Sequence, residues 1–242
     1  MAVFRDMHFG NSCLYMWFKK TKVKRAKAYT LVELLVVIGV LSIAFSFLYI
    51  GAGSGDGAKL SSAQRTLSGL IKTARAQAIL KNANVRLIIH NDADIDEIDR
   101  YGRFIGIVYF GVDRNGDEGW IAAGKGTYLP KGIYFDAATS NTESGTAWSN
   151  ASTMQINFPR LLSQADGVGT NFLYYEFNDN GTSANPNAYL VFRAGTVIPT
   201  SGNTISLDLP SNTEQKSRIR SGLIIRQTGT ATLVDDPEDI NI

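Results

Sequence analysis

The stretch Tyr29-Thr-Leu-Val-Glu-Leu-Leu-Val-Val-Ile-Gly-Val-Leu-Ser-Ile-Ala-Phe-Ser-Phe-Leu-Tyr-Ile50 separates a short basic start from a long remainder with the composition of a folded domain. From Leu34 to Ile50 no residue is charged at neutral pH, and those 17 positions as an α-helix span about 26 Å, close to the thickness of a bilayer's hydrocarbon core. Glu33 stands at the entrance. A carboxylate at a membrane boundary is unfavourable unless a helix end or an opposite charge compensates for it. Thr30 and Glu33 have the spacing of a capping box, in which the threonine hydroxyl accepts from the Glu33 amide and the carboxylate reaches back to the Thr30 amide at the positive end of the helix dipole. A second compensation needs a cut chain. Hydrolysis after Ala28 would give Tyr29 an α-amino group, whose charge Glu33 neutralises in its own or a neighbouring helix.

Working outward, residues 1–28 carry Arg5, Lys19, Lys20, Lys22, Lys24, Arg25 and Lys27 against Asp6 alone, a net of +6. That leaves 17 of the 24 basic and 21 of the 22 acidic residues in the remainder, which is net −4. Basic residues ahead of an apolar span hold that end in the cytoplasm, so the bulk of the chain is expected on the far side of the inner membrane. The single cysteine, Cys13, falls in the basic segment, so a disulfide framework is excluded beyond it. Met16 offers an alternative start with a shorter basic leader. An ordinary secretory signal cut near Gly51-Ala52-Gly53 is the rival for the apolar span. Signal cores run to roughly 7 to 15 apolar residues, and this run is longer and opens with Glu33.

The segment Lys27-Ala28-Tyr29-Thr30-Leu31-Val32-Glu33-Leu34-Leu35-Val36-Val37-Ile38 resembles the N-terminal signal of type IV pilins and type II secretion pseudopilins. The resemblance implies that prepilin peptidase cuts between Ala28 and Tyr29 and methylates Tyr29, and that Glu33 is the fifth-position glutamate that docks one subunit onto the next. It departs from the usual pattern in having Ala28 where glycine is common and Tyr29 where phenylalanine or methionine is. Further on, Ala74-Arg75-Ala76-Gln77-Ala78-Ile79 followed by Val85-Arg86-Leu87 is similar to the GspH/FimT minor pseudopilins.

After the apolar span, Gly51-Ala-Gly-Ser-Gly-Asp-Gly57 reads as a joint, since each glycine costs about 1 kcal/mol against alanine in a helix. Helical periodicity returns from Ala58 to Lys81, with Leu60, Ala63, Leu67, Leu70, Ile71, Ala74 and Ala78 on one face. From Val85 the pattern becomes β-branched and aromatic runs: 85–90, 104–110, 128–135, 153–158, 172–177, 188–193, 204–209, 222–227 and 230–234. Asn178-Asp-Asn-Gly181 and Gln227-Thr-Gly229 have residues that tolerate the positive φ of tight hairpin connections. The expected fold is α+β: a long N-terminal helix (29–50), a glycine joint (51–57) and a periplasmic domain (58–242) in which an amphipathic helix packs on an antiparallel sheet.

Asp113, Asn115 and Asp117 place oxygen side chains at alternate positions, as the start of a calcium loop does. The sixth position is Glu118 rather than glycine and the twelfth is Gly124 rather than glutamate, so the alternatives are a tight turn and a Ca²⁺ site. The acidic run Asp92, Asp94, Asp96, Glu97 and Asp99 reads as a solvated loop. Arg218 and Arg220 share one side of a strand, with Arg226 joining them across the sheet. Some minor pilins bind DNA with such arginines, but Ser217-Arg-Ile-Arg220 lacks the glycine of that pattern, and an acidic whole disfavours phosphate binding. Beyond the leader, His90 is the only histidine, and no serine sits in a nucleophile elbow. With the resemblance, the expectation is a non-enzymatic subunit without cofactor, and the resemblance implies prepilin peptidase, other pilin-like subunits through the N-terminal helix and the inner membrane as its partners. Two alternatives stand beside it: a DNA-uptake minor pilin, and a secreted β-rich enzyme or adhesin that borrows the signal.

Overall fold

The computed structural model describes residues 30–52, 55–140, 152–184, 188–208 and 220–234, with backbone alone for 43–52. The chain divides between Leu48 and Tyr49 into two units. The first is dominated by helix α1 (Leu31–Ala52), whose apolar side chains from Leu31 to Leu41 are exposed. The helix is apolar all round, and its Ser42 hydroxyl is internally satisfied by donating to the Ile38 carbonyl at 2.8 Å. Among the described residues no helix is long and apolar enough to cross a membrane. The Leu34–Ile50 span expected from the sequence lies outside the described side chains beyond Ser42.

In the second unit α2 runs from Gly55 to Lys81, three residues earlier than its apolar periodicity suggests. Asp56 explains the early start: it sits in the first turn, where negative charge is favoured, and pairs with Lys59 at 2.8 Å. Helical backbone thus occupies much of the glycine-rich stretch, while Gly53 and Ser54 lie outside the described residues. Asn82 ends α2 in a left-handed conformation (φ 48°), with the Ala83 amide donating to the Ala78 carbonyl. The buried stripe is Leu60, Ala63, Gln64, Leu67, Ile71, Ala74 and Ala78.

Among the described residues twelve strands follow, in three antiparallel groups. The first sheet has the order β3 (Glu118–Ala122), β2 (Phe104–Val112), β1 (Val85–His90), β7 (Thr170–Phe177), β6 (Thr153–Ile156), with β4 (Thr127–Tyr128) pairing the start of β2. The second is β12 (Ala231–Val234), β11 (Arg220–Ile225), β8 (Ala188–Ala194), β5 (Ile133–Phe135). The third is the hairpin of β9 (Thr196–Thr200) and β10 (Thr204–Asp208).

The two-residue alternation of a strand assigns the faces. On β1, Val85, Leu87 and Ile89 meet Leu67, Ile71 and Ala74 of α2 in a core that also takes Leu190 and Phe192 of β8 and Leu223 and Ile225 of β11. One helix therefore fills the space over two sheets. The alternate β1 residue Ile88 joins Phe104, Val108, Trp120, Met154, Phe158 and Phe172 in a second core on the far face of the first sheet. A central strand buried on both faces is the physical reason β1 reads as nearly continuous apolar sequence.

Several expectations are corrected. The helix packs on two sheets rather than one. The run 128–135 is two strands, because the chain turns at Pro130 to Gly132, where Gly132 has φ 88° and the Ile133 amide donates to the Pro130 carbonyl. β3 is hidden in the segment weighed as a tight turn or a calcium loop, and β9 contains Pro199, which a strand tolerates only at an edge. Gln227-Thr-Gly229 does close the β11–β12 hairpin, with Gly229 at φ 75°. Asn178-Asp-Asn-Gly181 makes a tight turn carrying a single bridge, Phe177 to Ser183, after which the chain enters the other sheet.

Candidate functional site

Thr30 and Glu33 form a reciprocal cap at the start of α1. The Glu33 amide donates to Thr30 Oγ1 at 3.2 Å, and the Thr30 amide and hydroxyl donate to Glu33 Oε2 at 3.0 and 3.1 Å. The Leu34 amide closes the first turn onto the Thr30 carbonyl at 3.1 Å. Two of the helix's orphan amides are satisfied, and a carboxylate is held at the positive end of the dipole. Oε1 of Glu33 takes no part in the cap, so the carboxylate retains capacity to accept from a further cation. Just ahead lies the basic segment and behind it the unbroken apolar run.

Residues 23–49, which contain this cap, match the prokaryotic N-terminal methylation motif. By that match the segment carries a type IV pilin-like N-terminal signal. No curated protein matches the chain. Among solved structures, the minor pseudopilin EPSH from the type II secretion system of Vibrio cholerae is similar over 74% of this chain and 96% of its own, with a TM-score of 0.39 and 13% identity. The two residues at the expected cut, Ala28 and Tyr29, lie outside the described residues.

The other sequence candidates fall elsewhere, in the second unit, and do not converge. Asp113, Asn115 and Asp117 sit in the β2–β3 turn. Asp113 Oδ1 accepts from the Asn115 and Asp117 amides at 2.8 and 3.1 Å, and Oδ2 accepts from the Ser163 amide and hydroxyl at 3.1 and 3.2 Å. The Ser163 amide foremost holds the Asp113 carboxyl below its ordinary range. Its oxygens are thus engaged in tying the hairpin to the 157–169 segment. Among the described residues no group of three or more His, Cys, Asp or Glu side chains is arranged to hold a metal ion.

Arg220 opens β11 opposite Arg193 of β8, while Arg226 follows the other end of that strand. Six residues of strand separate the two arginines by roughly 20 Å, so they do not form one patch. Arg218 lies outside the described residues.

His90 is wholly buried beneath the short 3₁₀ turn Ile95–Glu97, its Nε2 3.6 Å from Glu97 Oε2 and its ring edge-on to Phe172 at 5.3 Å. Burial, then the neighbouring Arg100, lowers its pKa to about 4, against a raising effect of Asp92. It is a neutral core histidine at pH 7. The acidic loop is partly built in: Asp94 caps the 3₁₀ turn, and Glu97 pairs with Arg100 at 3.0 Å.

Two charged arrangements escaped the sequence reading. Arg86 is stacked between Trp120 (4.1 Å) and Tyr174 (3.8 Å) and pairs with Glu176 at 2.7 Å and Asp166 at 3.3 Å. Arg193 pairs with Asp136 at 2.9 Å, both side chains nearly inaccessible. Only an arginine within a strongly apolar strand hinted at either, because their partners are remote in sequence.

Proposed function

We propose that this chain is a minor pseudopilin or pilin subunit, cut by prepilin peptidase between Ala28 and Tyr29, methylated at Tyr29, and assembled into a type II secretion pseudopilus or type IV pilus that serves protein secretion. The single observation that carries this reading is the methylation motif over residues 23–49, with the basic leader before it and Glu33 at the mouth of the apolar run. Before assembly the subunit is a single-pass inner-membrane protein, leader in the cytoplasm and domain 58–242 in the periplasm. During assembly the 29–50 helix leaves lipid to pack against equivalent helices. Glu33 then uses its uncommitted oxygen to accept from the α-amino group of a neighbouring Tyr29, an ion pair strengthened by exclusion of water among apolar helices. Its work is mechanical, and the two-sheet domain supplies the contacts peculiar to this subunit.

Mass spectrometry of the protein recovered from cells that make prepilin peptidase tests it. The expected N-terminal peptide begins with N-methylated Tyr29. An intact leader, or a terminus near Ser54 without the apolar segment, overturns the reading.

A further inference from the structure

Between α2 and the β11–β12 turn lies an open cavity of about 370 Å³, with Lys72, Arg75, Ala76, Ile79, Thr230 and Ala231 among its walls. Its two cations project from positions i and i+3 of one helix, on the same face. Two tight turns enclose the arginine stem. A Cβ placed on Gly181 (φ +76°) would meet Ile79 Cδ1 and Cγ1 at 2.8 Å and then Arg75 Cγ at 3.1 Å, and one on Gly229 (φ +75°) would collide first with the Gly181 carbonyl oxygen and then approach Arg75 Cδ at 3.2 Å and Nε at 3.4 Å. Glycine at both turns therefore permits the left-handed backbone and leaves room for the guanidinium stem. Among the described residues, Arg75 Nε is shut off from solvent and has no hydrogen-bond acceptor. Neither Arg75 nor Lys72 forms an ion pair among the described residues, and Asp179, in the same turn as Gly181, pairs with neither.

We propose that this cavity binds a carboxylate carried on a peptide segment of another protein, next to an apolar side chain. A guanidinium presents a planar fork that a carboxylate matches with two parallel hydrogen bonds, and Lys72 adds a mobile second charge. The walls from Ala76, Ile79 and Ala231 suit a neighbouring aliphatic group, and Ile79 is 52% exposed. A nucleic-acid strand fits less well. Residues 29–242 are net −4, so each phosphate of a polyanion meets the same long-range repulsion, while a single carboxylate set among apolar groups meets it once. The site stands on α2 and two turns and is independent of the filament reading: it survives if the leader proves uncut, and fails without affecting Tyr29.

The test is a titration of the full-length chain in detergent micelles, with ¹⁵N-labelled arginine, by N-acetyl-Glu-Leu-amide. The Arg75 Nε–H resonance, assigned by its loss in Arg75→Lys, is expected to shift saturably. The Gln-Leu analogue is expected to leave it unmoved, and Lys72→Gln, a change at an exposed position that spares the fold, to weaken binding about fivefold. Absence of a saturable shift at Arg75, or an equal response to the glutamine analogue, overturns the proposal. So does inorganic phosphate saturating the resonance at lower concentration than the dipeptide, which would make the cavity a phosphate site.

Discussion

Arg193 Nε lies 2.9 Å from Asp136 Oδ2, an ion pair whose side chains are 8% and 4% exposed, on the face of the second sheet turned away from α2. Oδ1 of Asp136 accepts from the Ala138 and Thr139 amides at 3.1 and 3.2 Å, so the carboxylate also shapes the turn that leaves β5. Removing one partner strands the other charge in a poorly solvated place. Asp136→Ala is expected to destabilise the domain by about 3 to 5 kcal/mol, and Asp136→Ala with Arg193→Met to recover a large part of that loss. Denaturant unfolding of the three proteins checks it; a double variant no more stable than Asp136→Ala would refute the account.

Arg86 is held on four sides, by two aromatic faces and two carboxylates. Lysine has no planar fork to stack between rings, so Arg86→Lys is expected to cost about 1 to 3 kcal/mol although the charge is kept. Trp120 fluorescence reports the change directly, because its ring forms one wall of the stack.

His90 makes stability depend on pH in a defined window. Its pKa falls from the ordinary 6.5 to about 4 on folding, so between those values the unfolded chain binds the proton and the folded one does not. The neutral form's contribution is complete above pH 6.5 and is lost as pH falls toward 4, about 3 kcal/mol in all. Phe172 at its ring and the groups Glu97, Arg100 and Asp92 are its surroundings, and His90→Leu is expected to flatten this slope. Equal slopes for both proteins between pH 6.5 and 4 would contradict it. Asp113, also held low, acts only at more acid pH.

Gly119 permits the outer edge of β3 to be closed by Gln164, which exchanges two backbone hydrogen bonds with Trp120 at 2.9 and 3.1 Å. A Cβ there would sit 2.7 Å from the Gln164 carbonyl oxygen and 2.9 Å from its nitrogen, both backbone atoms. Gly119→Ala is expected to lose about 1 to 3 kcal/mol and to raise amide exchange at Trp120, as the edge reopens. Unchanged protection of that amide would contradict the expectation.

Glu33 separates capping from charge. Glutamine completes a capping box as glutamate does, so Glu33→Gln is expected to keep the start of α1 while losing the partner for a neighbouring amino group. Both Glu33→Gln and Glu33→Ala are expected to be cut normally yet to capture fewer partner subunits in pull-downs. Wild-type capture by Glu33→Gln would assign the residue to capping alone.

What the sequence determined by itself is local in origin. The cap at Thr30 and Glu33, the apolar run, the buried stripe of α2, most strand positions and the Gly229 hairpin follow from spacing, periodicity and turn chemistry within a few residues. Tertiary structure alone decided how strands divide between two sheets, since β7 and β8 read as neighbours yet pair elsewhere. It also decided the fate of polar residues inside the domain: Gln64, on the apolar stripe, donates to the Gly222 and Val234 carbonyls at 3.0 and 2.9 Å and so ties α2 to the second sheet. The same holds for Arg86, Arg193 and Arg75, because a charge becomes a strut or a site according to which distant groups approach it, and the free energy of a buried polar group is set by those partners rather than by its neighbours in the chain.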